Sequence, residues 1–348
     1  MLLASEKSLI RAKRTFRYDK ILLILLLIFA WILFGLNYSN ADYKNYEDSY
    51  NATMQGYNDG YFEIGFYIIV KVFAMFRIPY CVFLGCVAAI CLFIFTNAIK
   101  RLTSKPFIAF LFYFIYPFVF DIVQYRNFLA FAIVLYGVGY LLNDKLKTHK
   151  KLFYYLFFIF LASLFHLSSV IYVAFVLVLI KRKKVFFSTI VILMIGLMLA
   201  IMNSEILIEI LKFFKLDRFA RYDVDYNYST FLQYLAVYVF FMALALLKFK
   251  GNYKSTKFKI LVVALLFVPF IILNGTSARF IRNVFIIFYC FLLDYKNKKA
   301  FYGQWKQPII LLFTFVAVIS VFYAQLGSGL YYETVLKPIL EFNWLFGK

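Results

Sequence analysis

One histidine, His166, interrupts the apolar run "LASLFHLSSVIYV" at 161–173, and it is one of only two histidines in 348 residues. A neutral imidazole can take a hydroxyl proton near pH 7, so this position offers a general base. A histidine that merely satisfies a turn is the plain alternative. A second group of polar residues lies in "FDIVQYRNFLAF" at 120–131, where Asp121 and Arg126 flank Gln124 and are followed by Asn127. An arginine there either snorkels to headgroups or faces a cavity. The third is "PFIILNGTSARFIRNVF" at 269–285. Asn274-Gly275 turns the chain, Thr276 or Ser277 can cap the next helix, and Arg279 and Arg282 stand three apart on one face. Two cations at a positive helix end are unfavourable unless an anion answers them. Helix N–H groups and guanidinium forks are suited to phosphate oxygens, with lipid headgroups as the ordinary alternative.

Tyr, Asn and Asp crowd the stretch "NYSNADYKNYEDSYNATMQGYNDGYF" at 37–62, which ends beside Glu63. Aromatic faces and planar amides or carboxylates match sugar rings and hydroxyls, which makes Asp42, Tyr43 and Tyr46 candidate glycan contacts; an interfacial aromatic belt would also use tyrosine. The segment "LDRFARYDVDYNYST" adds Arg218, Arg221, Asp223 and Asp225, either as ion pairs within a solvated loop or as a lid, with Arg221 a further glycan contact. The four cysteines, Cys81, Cys86, Cys91 and Cys290, form no C-x-x-C or Cys/His pair, so no metal site is expected.

The elements that hold these groups are membrane helices. With 64% hydrophobic residues, 16% charged residues and a mean hydropathy of +0.81, the chain departs far from globular usage. Apolar tracts run from residue 21 to 324 without a long polar block, so 1–348 reads as a single all-α membrane domain. The net charge of +21 would suit nucleic acid only if it gathered on a solvated face; instead 26 of the 38 Lys and Arg fall in the N-terminus and in short loops between alternate apolar tracts. By the positive-inside rule those loops, and the basic N-terminus 1–20, are cytoplasmic. Residues 63–76 are too short for a full span and are expected as a re-entrant or interfacial segment within the outer stretch 37–79. The spans are then about 20–37, 80–99, 105–121, 126–142, 152–166, 168–180, 185–202, 230–247, 260–273, 281–294 and 308–324. That makes eleven crossings, with outer segments 203–229 and 325–348. His166, Arg126, Arg279 and Arg282 all fall toward the outer side.

On "ADYKNYEDSY", "EIGFYIIVKVF", "QYRNFLAFAI" and "LASLFHLSSVIYV" the chain resembles the EpsG-type exopolysaccharide polymerases, relatives of the Wzy polymerases. The resemblance runs from about residue 35 to 295 and is strongest over 105–180. Where relatives commonly read Arg-Gln, this chain has Arg126-Asn127. The resemblance implies a GT-C-like, metal-independent membrane glycosyltransferase without a cofactor, in the bacterial cytoplasmic (inner) membrane. Its substrate would be an oligosaccharide on undecaprenyl diphosphate, polymerised for capsule, exopolysaccharide or O-antigen. Membrane lipid, a flippase and a chain-length regulator would be its partners, and nucleic acid would not. On that reading His166 is the first choice of base, with Glu63 or Asp121 behind it. Arg126, Arg279 and Arg282 meet the diphosphate, and Asp42, Tyr43, Tyr46 and Arg221 hold glycan. A transporter of lipid-linked sugar and a membrane acyltransferase are the alternatives.

Overall fold

The computed structural model describes residues 2–203, 209, 228–273, 275–294, 306–327 and 331–346. Among them every regular element is helical, and the one β-type pairing is an isolated bridge between Asn37 and Asn343. In a lipid-embedded chain this is the expected solution, because a helix satisfies its own backbone hydrogen bonds.

Helix α1 (Leu2–Gly35) leads to α2 (Tyr43–Met54), α3 (Ile64–Met75) and α4 (Tyr80–Leu102). Next come α5 (Pro106–Ile115), α6 (Phe118–Val123), α7 (Tyr125–Leu141) and α8 (Thr148–Ser163), then a 3-10 helix, Leu167–Leu179. The second half holds α9 (Lys183–Met202), α10 (Tyr228–Phe249), α11 (Thr256–Val263), α12 (Phe270–Leu273), α13 (Arg279–Leu292), α14 (Lys306–Phe322) and α15 (Lys337–Glu341). Among the described residues five helical stretches are long and apolar enough to cross a membrane: Tyr18–Gly35, Tyr80–Leu102, Lys183–Met202, Tyr228–Phe249 and Gln307–Gly327.

Several expected spans are interrupted. The tract 105–121 divides at Tyr116-Pro117 into α5 and α6, and 260–273 divides into α11, a 3-10 turn (Ala264–Phe267) and α12. Prolines at 117 and 269 fall in the gaps, where a missing N–H and a fixed φ stop a helix. The stretch 37–62, which composition reads as a loop, contains α2 instead. Its buried residues Tyr46, Ser49, Tyr50 and Thr53 recur at the spacing of one helical face.

The 3-10 helix solves a length problem. Thirteen residues of α-helix would reach about 20 Å, whereas a rise of about 2.0 Å per residue carries the same thirteen about 26 Å. A 3-10 helix repeats every three residues, and Ser169, Tyr172, Phe175 and Val178 are buried at that period. Such a long run needs outside support. Tyr155 donates its hydroxyl to the Tyr172 carbonyl at 2.6 Å, and Lys259 donates to the Val178 and Ile180 carbonyls at 2.6 and 2.7 Å, where a cation suits the helix C-terminus.

Contacts sort the helix ends into two groups. At one end Asp294 binds the Ser104 N–H and hydroxyl and pairs with Lys257, Lys248 donates to the Leu292 carbonyl, and Lys105 meets Asp19. At the other, Tyr43 packs on Tyr80, Tyr80 meets Tyr125, and the Gly65 N–H donates to the Leu164 carbonyl at 2.8 Å. Between them α13 is buried over its whole length, so Arg279, Arg282 and Asn283 lie inside the protein.

Candidate functional site

Helix α3 begins where α8 ends. A Cβ on Gly65 would stand 2.8 Å from the Leu164 carbonyl oxygen, so only glycine lets the two backbones touch there. This contact sets Glu63, the residue just before α3, against the first residues of the 3-10 helix. One carboxylate oxygen, Oε1, lies 3.4 Å from the Leu167 N–H and 3.7 Å from His166 Nδ1. The other, Oε2, pairs with Arg126 Nη1 at 2.8 Å. Glu63 therefore bridges the arginine that opens α7 and the histidine that opens the 3-10 helix. All three side chains are only 12–16% exposed.

Arg126 is held by α2 and by the segment between α2 and α3. Its Nη1 also donates to the Tyr61 carbonyl at 2.9 Å, and its Nε reaches the Tyr46 hydroxyl at 3.5 Å. The guanidinium lies over the rings of Tyr61, Tyr46 and Phe62, with centroids 4.5, 5.2 and 5.4 Å away. Tyr46 is 4% exposed and packs on Tyr125 at 4.1 Å, so it forms the wall behind Arg126. Asp42 and Tyr43 are half-buried nearby. Burial pushes the Asp42 carboxyl upward, against the pull of Arg126 and Arg279. Burial, with Glu47 beside it, pushes the Tyr43 hydroxyl up to about 12. The protonated Tyr43 hydroxyl is suited to donate to a neutral hydroxyl partner.

His166 sits at the cap of the 3-10 helix, where its Nδ1 accepts from the Ser168 N–H at 3.4 Å and lies 3.2 Å from the Ser168 hydroxyl. A lone pair at Nδ1 puts the ring proton on Nε2. Turning Nδ1–H toward Glu63 instead would need the 3.7 Å gap to close to about 2.9 Å. Catalytic hydrogen bonds are commonly long until substrate is bound. Arg279, the first residue of α13, acts electrostatically on both His166 and Asp42, which places the third helix opening at the same site. The cap of α13 is Ala278 in helical geometry, without a side-chain cap bond, because a 3-10 turn at 275–278 runs straight into the helix. The expected Thr276 or Ser277 cap is thus replaced by continuous helix.

Asp121 and Arg282 form a separate, deeper set. Asp121 is 4% exposed and accepts from the Tyr113 hydroxyl, while Arg282 reaches Gln124 Oε1 at 3.5 Å and lies over the Phe120 ring at 4.2 Å. Burying an arginine inside the protein demands such partners. Asp121 thus contacts Tyr113 and not His166 or Glu63, and Arg282 lies over Phe120 where Arg279 lies over Phe280. Arg221 lies outside the described residues. No three His, Cys, Asp or Glu side chains among the described residues are grouped to hold a metal ion.

Sequence reasoning missed Tyr61, Phe62 and the Tyr172–Asn283 link, in which Asn283 donates to the Tyr172 hydroxyl at 3.0 Å and that hydroxyl donates to the Phe280 carbonyl. For Tyr61 and Phe62 a signal existed, since they adjoin Glu63. Asn283 has none, because only the fold brings it to Tyr172. Comparisons with curated proteins and with solved structures give no match. The EpsG family model matches residues 20–336, and the chain belongs to the EpsG family.

Proposed function

We propose that the chain is a membrane glycosyltransferase that polymerises exopolysaccharide. It would transfer oligosaccharide repeat units en bloc from undecaprenyl diphosphate to a growing lipid-linked glycan, at the outer face of the bacterial cytoplasmic membrane. Family membership supports an exopolysaccharide polymerase-type activity. The observation that carries the finer reading is the continuous run Arg126–Glu63–His166 at one end of the helices, with Asp42 and Arg279 in electrostatic reach. In this reading the shorter apolar helices also cross, giving eleven crossings with the lysine-rich ends cytoplasmic.

The chemistry follows from these groups. The acceptor hydroxyl attacks the anomeric carbon of the donor unit while the bond from that carbon to the diphosphate oxygen breaks. In the tautomer in which Nδ1–H turns from Ser168 to Glu63, Nε2 carries the lone pair; His166 takes the hydroxyl proton there, and Glu63 receives Nδ1–H and steadies the imidazolium. Negative charge grows on the departing diphosphate and is met by Arg279, with Arg282 one turn deeper. Arg126 has Nη1 and Nε engaged by the protein, so Nη2 is the donor that can turn to a phosphate oxygen. Guanidinium groups thus do the work that a divalent cation does in other transferases. Asp42, Tyr43 and Tyr61 face the sugars, and Tyr46 holds Arg126.

A transporter of lipid-linked sugar is favoured by one feature, the broken α5–α6 segment with the buried Asp121 and Arg282 beside it. The two readings part on where repeat units gather when the protein is disabled. In cells carrying His166→Ala, with the protein present at the parental level, a polymerase leaves single repeat units on the outer side. Units retained on the cytoplasmic side would support transport, and undiminished long chains would refute the polymerase site.

A further inference from the structure

Helix α4 separates two apolar grooves that meet at its lysine-rich end, the end opposite the candidate site. The larger, a cavity of about 720 Å³, lies between α4, α7 and α8, is lined by Ile90, Phe93, Ile133 and Phe158, and reaches Ile69 of α3 and Phe165 at its far end. The smaller, about 340 Å³, lies between α4 and α1 and is lined by Ile24, Leu27, Trp31, Leu92 and Thr96. Phe93, Asn97 and Lys100 border both, and Phe93 stands between them at 72% exposed. The two grooves therefore diverge from one polar point at the end of α4.

The chemistry along α4 changes in a fixed order from that point. Lys100 and Arg101 come first, and the Arg101 guanidinium is set in place over the Tyr136 ring, 3.7 Å from its centroid, with a hydrogen bond to the Tyr136 hydroxyl. One turn further in are Asn97 and Thr96. The Thr96 hydroxyl is buried in the smaller groove and finds no hydrogen-bond partner among the described residues. Beyond them both grooves are apolar. From Lys100 to Ile90 is ten residues of helix, about 15 Å, or half of a hydrocarbon core of about 30 Å.

We infer that this face binds one anionic diacyl phospholipid from the leaflet at the lysine-rich end. Its phosphate would meet Lys100 and Arg101, its ester oxygens would meet Thr96 and Asn97, and one acyl chain would lie in each groove astride Phe93. Basic pockets between membrane helices recognise anionic headgroups in this way. The depth order cation, hydroxyl and amide, hydrocarbon matches a glycerophospholipid end to end, and the fork at Phe93 matches its two chains. The site's headgroup end at Lys100 and Arg101 is distinct from the Arg126–Glu63–His166 group, although the larger groove runs on to Phe165 beside it, and the proposal does not depend on the activity proposed for that group.

Trp31 lines the smaller groove and serves as the reporter. The full chain, carrying Trp305→Phe and Trp344→Phe so that Trp31 alone emits, is reconstituted in bilayers with phosphatidylglycerol or phosphatidylcholine brominated in the acyl chains. Trp31 should be quenched at lower mole fraction by the glycerol lipid, each cation contributing about a fivefold preference. Lys100→Gln, which leaves Arg101 on Tyr136, should remove about one such factor, and Lys100→Gln with Arg101→Gln should abolish the preference. Equal quenching by the two lipids in the parent overturns the proposal. So does a preference that is undiminished in Lys100→Gln, or one that persists in the double variant.

Discussion

Glu63 carries two duties that separate in different substitutions. Glu63→Gln keeps the size and can still accept from the Leu167 N–H, but it removes the charge that Arg126 and His166 share. If His166 acts as base with Glu63 behind it, Glu63→Gln and His166→Ala should each lower polymer formation by about 10²–10⁴-fold, the range for a positioned base. The double variant should lose little more than either alone, because residues acting as a unit are non-additive. Rate measurements on the three proteins at equal membrane level check this, and additive losses would assign the two residues to separate tasks. Arg126→Lys is a sharper case. An ammonium can pair with Glu63, but it cannot also reach the Tyr61 carbonyl and the Tyr46 hydroxyl while lying flat over three rings. Lysine should therefore not restore the activity lost in Arg126→Ala, which a polymer gel will show.

At the scale of elements, the contact between α3 and α8 decides whether Glu63 meets His166 at all. Gly65→Ala would drive a methyl carbon to within 2.8 Å of the Leu164 carbonyl oxygen and loosen the 2.8 Å backbone bond. A shift of about 1 Å at a catalytic group can cost on the order of 100-fold in rate. We expect Gly65→Ala to lose activity on that scale while the protein still reaches the membrane, and full activity would show that α3 does not position the site. The residues hold signals for this level that composition alone masks. Tyr46, Ser49, Tyr50 and Thr53 already spell a helical stripe, and Ser169, Tyr172, Phe175 and Val178 a period of three. Other parts were not legible. Nothing local tells that Gly65 must admit a carbonyl from residue 164, or that a cap at Thr276 or Ser277 gives way to continuous helix. Both are consequences of packing between distant segments.

Across the whole molecule, the basic and aromatic ends do different work. At the lysine-rich end burial raises the proton affinity of Asp294, but Lys257 and the Ser104 N–H and hydroxyl outweigh it and hold the carboxyl below its ordinary value of 3.8. A depressed folded value means the contribution is complete above 3.8 and is lost as pH falls through the folded value. Asp294→Asn should therefore lower thermal stability at neutral pH and flatten its decline in acid, which melting curves across pH will test. Charge distribution and apolar periodicity revealed a polytopic helical protein and gathered His166, Arg126 and Arg279 toward one side. They did not separate Asp121 from His166, because sequence distance along a broken helix says little about depth. At the aromatic end stands the central claim, that this site joins sugar units. Purified protein in detergent, given lipid-linked repeat units alone, tests it most directly, since detergent leaves no compartments for transport to act between. A ladder of glycans rising by one repeat unit per step should form with the parent protein and be absent in His166→Ala. Repeat units that remain single with the folded parent protein, or a ladder undiminished in His166→Ala, would contradict it.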